Sequence, residues 1–315
     1  MKIVALLFSA CGTLFASAVQ AQLVTLKFDV QGHRGARGLM PENTIPAFLL
    51  ALDTGVTTLE MDLAVTKDRQ LVVSHEPWMS AAYCLDPAGK SISERDEKKN
   101  NIYLMTYAQV KTWDCGSKVN SNFPNQKKMK TVKPLLVDVM VAAENHIRNA
   151  TKYLVDYNIE IKSSPKEDNR FAPKPEEFSD LVYKTIDQYL PWNRVVIQSF
   201  DFRVLKYWHQ KYPHVRLAAL VDNLKTIDEN IVALGFVPDI YSPDYKLLDK
   251  NEVDFIHRQT PARSSANKGL KMRVIPWTVN DEKEMTALKE MGVDGFITDY
   301  PDRARKLKLT RMTRN

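Results

Sequence analysis

Residues 194–221 read RVVIQSFDFRVLKYWHQKYPHVRLAALV. The opening run Arg194-Val195-Val196-Ile197-Gln198-Ser199 is β-branched and nearly continuous in apolar character, which fits a strand covered on both faces. Residues 202–211 carry the longer helical period, and 215–221 return to an apolar strand run. Strand, helix and strand in immediate succession make a unit of a parallel sheet covered by helices. The same alternation extends in both directions. Strands are expected at 27–32, 57–65, 157–161, 194–199, 215–221, 239–242, 272–277 and 295–298. Helices are expected at 44–53, 135–145, 175–189, 202–211, 224–234, 247–259, 282–291 and 302–309. Eight repeats suggest closure into a (β/α)8 TIM barrel, although a doubly wound open sheet would show the same alternation. One segment breaks the rhythm after the second strand region, about 77–132. It holds Asp86-Pro87, the charged run Ser93-Glu94-Arg95-Asp96-Glu97-Lys98-Lys99 and an Asn/Lys-rich tract at 120–130. An insertion on the rim is expected there, with substrate selection as its role.

The chain has 315 residues, 44% hydrophobic and 26% charged, the balance of a globular enzyme with one large core. Lys2, the apolar run Ile3 to Phe8 and the small-residue stretch Ala16-Ser17-Ala18-Val19-Gln20-Ala21 have the layout of a cleavable secretory signal over residues 1–21. The remaining 22–315 then form the mature domain, periplasmic or secreted. A membrane anchor is the rival reading, but Ser9, Cys11, Gly12, Thr13 and Ser17 interrupt the apolar stretch. Cys11 is a poor lipoprotein site, and no other stretch is long and apolar enough to form a stable membrane span. Only Cys84 and Cys115 remain past the leader, and either a bridge or two buried thiols would suit them. A formal net charge of +6 is spread along the chain, which mildly favours anionic substrates. Nucleic-acid binding would need a clustered basic stripe with interleaved aromatics, and the chain has none.

The first strand runs into Gly32-His33-Arg34-Gly35-Ala36-Arg37-Gly38. Histidine is the side chain best placed for proton transfer near neutral pH, and Arg34 beside it offers a planar fork of donors for a phosphate. The second strand supplies Leu59-Glu60-Met61-Asp62-Leu63. Residues two apart on a strand share a face, so Glu60 and Asp62 project together. Two like charges in a core are costly unless a cation lies between them. A solvent-exposed pair is the alternative, but it would leave Leu59, Met61 and Leu63 to be buried on the other face. Leu71-Val72-Val73-Ser74-His75-Glu76 is another strand-like run, ending in a second histidine. Alone it would read as a hydrogen-bonded structural residue; beside a carboxylate pair and His33 it reads as chemistry. Asn158-Ile159-Glu160-Ile161-Lys162 repeats the inward spacing with one acid and one base. Glu160 would complete a three-carboxylate oxygen site suited to Mg²⁺ or Ca²⁺, and Lys162 would hold a phosphoryl oxygen, unless the two merely form an internal salt bridge.

His33-Arg34-Gly35, Glu42-Asn43-Thr44, Glu60-Met61-Asp62, Val73-Ser74-His75-Glu76, Glu160-Ile161-Lys162, Gln198-Ser199-Phe200, Pro276-Trp277-Thr278-Val279-Asn280 and Gly295-Phe296-Ile297-Thr298-Asp299 follow one another in this order. Together they make the chain resemble the glycerophosphodiester phosphodiesterase family over essentially the whole mature sequence. The resemblance implies a (β/α)8 barrel and a small-molecule glycerophosphodiester substrate. It implies that His33 and His75 form the general acid/base pair, and that Glu60, Asp62 and Glu160 bind one divalent cation, Mg²⁺ or Ca²⁺. Arg34 and Lys162 would contact the phosphate, while Gln198 and Trp277 line the substrate pocket. Glu42 would either bind the cation or steady Arg34. Two departures stand out: His75-Glu76 replaces the more usual His-Asp, and 77–132 aligns with nothing in the pattern.

The expected reaction releases sn-glycerol 3-phosphate and an alcohol. Cation, Arg34 and Lys162 would neutralise the phosphodiester while the histidines relay protons. By family analogy the first nucleophile is the substrate's neighbouring glycerol hydroxyl, giving a cyclic phosphate that water opens. A lysophospholipase D-like activity on lipid substrates is the nearest alternative, with Trp78, Met79, Tyr83 and Trp113 as a greasy mouth or as a small core of the insertion. A non-catalytic barrel binding sugar phosphates is the alternative of a different class. Oligomeric state has no signal in the sequence.

Overall fold

Leu59, Met61 and Leu63 lie in one apolar cluster, the alternating Glu60 and Asp62 face the opposite way, and both sets are buried. A strand buried on both faces needs a helix on one side and other strands' side chains on the other. The computed structural model, which describes residues 28–262 and 270–311, supplies both. Its strands are β1 (Asp29–Gly32), β2 (Thr58–Val65), β3 (Leu71–Val73), β4 (Asp156–Ile161), β5 (Val195–Ser199), β6 (Arg216–Val221), β7 (Ile240–Pro243), β8 (Arg273–Val274) and β9 (Gly295–Thr298). All but β3 are parallel neighbours in the order β8-β7-β6-β5-β4-β2-β1-β9. Backbone bonds from Asp294 N–H to Val274 O, Ile297 N–H to Pro276 O and Val279 N–H to Ile297 O, each 2.9 Å, carry the ring across the remaining gap. The fold is a TIM barrel, and the open-sheet alternative is excluded.

The helices are α1 (Ile45–Thr54), α2 (Tyr107–Val110), α3 (Leu136–His146), α4 (Pro175–Ile186), α5 (Phe202–Lys211), α6 (Ile227–Leu234), α7 (Lys250–His257), α8 (Glu282–Met291) and α9 (Pro301–Lys306). Local chemistry sets their ends. Thr226 and Asp249 form capping boxes with Glu229 and Glu252, Asp201 and Asp281 cap α5 and α8, and Gly235 and Gly292 terminate α6 and α8 in the left-handed conformation. Their apolar faces meet Leu59, Tyr157, Ile197, Leu217 and Phe296 outside the barrel. Inside, Val196, Ala218, Ile240, Ile275 and Ile297 form a separate apolar cluster under Trp277. The β1–β2–β4 side of the interior is polar instead, with Gln31, Glu60, Asp62, Asn158 and Glu160 all buried. That polar half positions the site.

Strand β3 pairs antiparallel with β2, Leu63 opposite Val73, and hands the chain to Ser74, His75 and Glu76. The segment after it builds a satellite core from Met79, Tyr83, Cys84, Ile102, Val110, Trp113 and Cys115. Of the two readings open for its large apolar residues, the small core is the one found for Met79, Tyr83 and Trp113. Trp78 packs edge-on against Phe171 with ring centres 5.4 Å apart. A Cys84–Cys115 disulfide, S–S 2.07 Å, staples this core. The far end of the segment returns over the β1–α1 turn: Lys127 N–H donates to Leu39 O at 2.9 Å, Gln126 Nε2 to Arg37 O at 2.6 Å, and the Arg37 guanidinium sits 4.7 Å from the Phe123 ring centre. The expected leader, residues 1–21, lies outside the described residues. Among those residues no helix is long and apolar enough to cross a membrane.

Candidate active site

Past Gly32 the backbone turns through Arg34 and Gly35, both left-handed at φ 50° and 83°. At Gly35 a Cβ would lie 2.6 Å from the Ala47 carbonyl carbon of α1, so only glycine fits there. The turn delivers three contacts. The Arg34 N–H donates to Glu60 Oε2 at 2.9 Å, its guanidinium donates to Glu42 Oε1 at 2.7 Å, and its Nε stands 3.3 Å from Asp62 Oδ2. His33 is aimed by a bond from Nδ1 to Asp299 Oδ1 at 2.7 Å.

Parallel register brings the acids together. Asp62 on β2 is the partner of Glu160 on β4, and Glu160 is the partner of Gln198 on β5. Glu60, Asp62 and Glu160 each offer a carboxylate oxygen, and the three oxygens lie within 4.8 Å of one another. Burial, then the charge of Asp62, raises the Glu60 pKa well above the carboxylate range. Glu160 is raised by burial and by Asp62, against the pull of Lys162. Burial would raise Asp62 too, but the charges of Arg34, His75 and Lys162 and a bond from Asn43 Nδ2 at 2.8 Å hold it well below that range. A buried all-oxygen cluster that retains protons when left to itself is what a hard divalent cation would discharge, so these residues fit Mg²⁺ or Ca²⁺.

The cluster opens on a cavity of ≈ 270 Å³ lined by His33, Arg34, Arg37, Glu60, His75, Glu160, Lys162, Gln198, Phe200, Leu220, Trp277, Thr278 and Ile297. Two cations face its acids: Arg34, and Lys162 with Nζ 3.0 Å from Glu160 Oε1. Each imidazole stands against a carboxylate. Burial would raise Asp299, yet His33 and Arg37 hold it well below the usual range, so it is an ionised acceptor and His33 Nδ1 carries the hydrogen. Burial first, then Arg37, lowers His33 itself to about 4, leaving the ring neutral at pH 7 with a lone pair on Nε2. His75 Nδ1 lies 2.8 Å from Glu76 Oε1, a carboxylate that burial would raise but that His75, Lys133 and Tyr83 hold well down.

The family model for the glycerophosphoryl diester phosphodiesterases matches residues 33–303. The chain belongs to that family. A glycerophosphodiester phosphodiesterase of Bacillus altitudinis is 28% identical over 280 residues, 88% of this chain and 96% of that protein. A solved structure from Silicibacter pomeroyi DSS-3 carrying the same family name is 26% identical, with TM-score 0.76 over 90% of this chain and 94% of that one. An Oleispira antarctica phosphodiesterase, solved with the product sn-glycerol-3-phosphate, is 20% identical with TM-score 0.66, covering 88% and 95% of the two chains. Members of this family are phosphoric diester hydrolases.

In this family member the cavity gathers His33, His75, Arg34, Lys162, Glu60, Glu160, Gln198 and Trp277, with Asp62 buried beside them. Glu42 was open between two roles; it pairs with Arg34 and is outside the three-acid cluster. The Gln198 amide is engaged, donating to Glu60 Oε1 at 2.7 Å and accepting from Asn158 Nδ2 at 2.9 Å, so it holds a cluster carboxylate as well as lining the wall. Trp277 donates Nε1 to Ser242 O at 2.8 Å and meets Phe200 edge-on at 5.3 Å. The internal salt bridge weighed for Glu160 and Lys162 is formed. Sequence reasoning named no role for Asp299, Arg37, Asn280, Asn43 or Lys133, and read Tyr83 only as part of a greasy mouth or of a small core in the insertion. Asp299 carried a usable signal, an acid just past the C-terminal end of a barrel strand. Arg37 and Lys133 are placed by contacts distant along the chain, and no local pattern marks Asn43, Asn280 or Tyr83.

Proposed function

We propose that this protein hydrolyses glycerophosphodiesters to sn-glycerol 3-phosphate and an alcohol, with Glu60, Asp62 and Glu160 holding one divalent cation, Mg²⁺ or Ca²⁺. The observation carrying this is the convergence of three buried carboxylates at the wall of the cavity that two carboxylate-oriented imidazoles line. A bound cation supplies Lewis-acid stabilisation of the charge on the phosphoryl oxygens. Arg34 and Lys162 add fixed positive charge to the same oxygens. His33, neutral and with its Nε2 lone pair free, removes the proton from the substrate's glycerol hydroxyl as that oxygen bonds to phosphorus. His75 gives its Nε2 proton to the alcohol oxygen as the second P–O bond breaks. The resulting cyclic phosphate is opened by water with the two proton roles reversed. Such a relay typically contributes ~10²–10⁴-fold.

Alcohol release from a panel of glycerophosphodiesters, after chelation and then with Mg²⁺ or Ca²⁺ restored, tests the reading. Activity that survives complete chelation would remove the metal from it, and near-normal turnover by His33→Ala would remove the acid/base assignment. Faster release from a lysophospholipid than from glycerophosphocholine would move the substrate to the lipid class. Export belongs to the same proposal, supported by a disulfide of the kind that persists in oxidising compartments. A cell-retained product still carrying residues 1–21 would count against it.

A further inference from the structure

Behind His75 lies a chain of groups that the proposed reaction does not use. Lys133 is 4% exposed, and its Nζ donates to Ser74 Oγ at 2.7 Å and to Tyr83 Oη at 3.1 Å. The Tyr83 hydroxyl donates to Glu76 Oε2 at 2.6 Å, and the other oxygen of that carboxylate is the partner of His75 Nδ1. A buried lysine is costly unless it has work to do, and burial lowers its pKa here against the pull of Glu76. Tyr83 is itself fixed: it packs in the satellite core, and the next residue, Cys84, is bonded to Cys115.

We propose that Lys133 and Tyr83 are positioning residues for the acid/base histidine His75, acting through Glu76, and that the Cys84–Cys115 staple holds Tyr83 at the distance this requires. The proposal rests on the phosphodiesterase reading above and gives the 77–132 segment a part in catalysis. Glu76 is one methylene longer than the aspartate usual at this place in the family. Its carboxylate spans from the imidazole on one side to Tyr83 on the other. With both oxygens engaged it presents one lone pair to Nδ1, which fixes the ring's tautomer and aims Nε2. Lys133 supplies the counter-charge that keeps the carboxylate ionised in a buried site. Arg34, Glu42, Asp62 and Glu160 also face His75, Glu76 or Tyr83, Lys162 lines the same cavity, and the substitutions below leave all five in place.

The test compares full-length wild type with Tyr83→Phe and Lys133→Met on glycerophosphocholine, saturated with the activating cation, over a full pH range. Both variants are expected to lose ~10–100-fold in kcat with KM within about twofold. Both should also shift the pH profile of kcat, because a Glu76 carboxylate stripped of a donor or a counter-charge holds the Nδ1 hydrogen more strongly. A Cys84→Ser/Cys115→Ser variant should lower kcat in the same sense. Tyr83→Phe keeps the ring that packs the satellite core, so it decides the matter even if Lys133→Met does not fold. Unchanged kcat in Tyr83→Phe overturns the proposal, as does a loss of kcat with an unmoved pH profile. Wild type inactive on every diester would instead overturn the functional reading itself.

Discussion

Asp299 is the residue on which the first imidazole depends. It accepts from His33, from Arg37 at 2.7 and 3.0 Å and from Asn280 at 2.7 Å, so its charge is spread over three partners. An amide at this position would still pack, but its NH₂ could donate to Nδ1 and leave the hydrogen on Nε2, the wrong nitrogen for a base. Asp299→Asn is expected to lower kcat ~10²–10⁴-fold with little change in KM, measured by steady-state kinetics, and to lower the calorimetric Tm because the part-buried Arg37 guanidinium loses its charged partner. The same pair has a stability consequence whose sign is fixed. His33 in the native state binds its proton only near pH 4, whereas the unfolded chain binds it near 6.5. Between those values the unfolded state holds more protons, so stability falls as pH drops, by on the order of 3 kcal/mol across the window. Asp299, whose native pKa is depressed, stabilises above the unfolded carboxylate value and loses that contribution only at still lower pH. Denaturant titrations of wild type and His33→Asn between pH 4 and 7 should show this slope in the first and a shallower one in the second.

At the scale of elements, the strand ends carry the site and the turns between strand and helix set its tolerances. The β1–α1 turn is the least forgiving. Gly35→Ala combines a left-handed backbone with a clash against α1 and is expected to cost about 2–4 kcal/mol, seen as a lower urea midpoint at an unchanged m-value. Sequence reading does well where a pattern is local. Most of the parallel strands were legible because they are short, doubly buried apolar runs, β5 and β6 most plainly. Glu60, Asp62 and Glu160 were legible because spacing by two on a strand puts side chains on one face. Lys133 reads as one more basic residue just past the Asn/Lys-rich tract, and Tyr83 as one more aromatic of the insertion. Lys133 reaches Tyr83 across 50 residues, and Tyr83 in turn donates to Glu76. His33 and Asp299 are separated by 266 positions and meet only because the barrel closes β9 onto β1. Helix α2 was not anticipated either, because four residues are too few to show a period.

For the molecule as a whole, the polar half of the barrel interior stores unfavourable electrostatics. Glu60 and Glu160, raised by burial and by each other's neighbours, bind more protons in the native state than unfolded, so without a cation their contribution to stability falls as pH rises above the ordinary carboxylate range. A cation that binds the ionised acids reverses that trend. The rise in Tm on adding Mg²⁺ or Ca²⁺ to chelated protein should therefore grow between pH 5 and 8; a rise independent of pH would place the ion elsewhere.

The 77–132 segment touches this centre from two directions: Tyr83 braces the Glu76–His75 pair, and Gln126 and Phe123 clasp Arg37, which shares Asp299 with His33. It therefore does not behave as an interchangeable cassette. Swapping it for a relative's segment to change leaving-group preference would slacken both imidazoles at once, so an engineer seeking new specificity has better prospects at the opposite wall, around Phe200 and Trp277, where neither histidine is anchored.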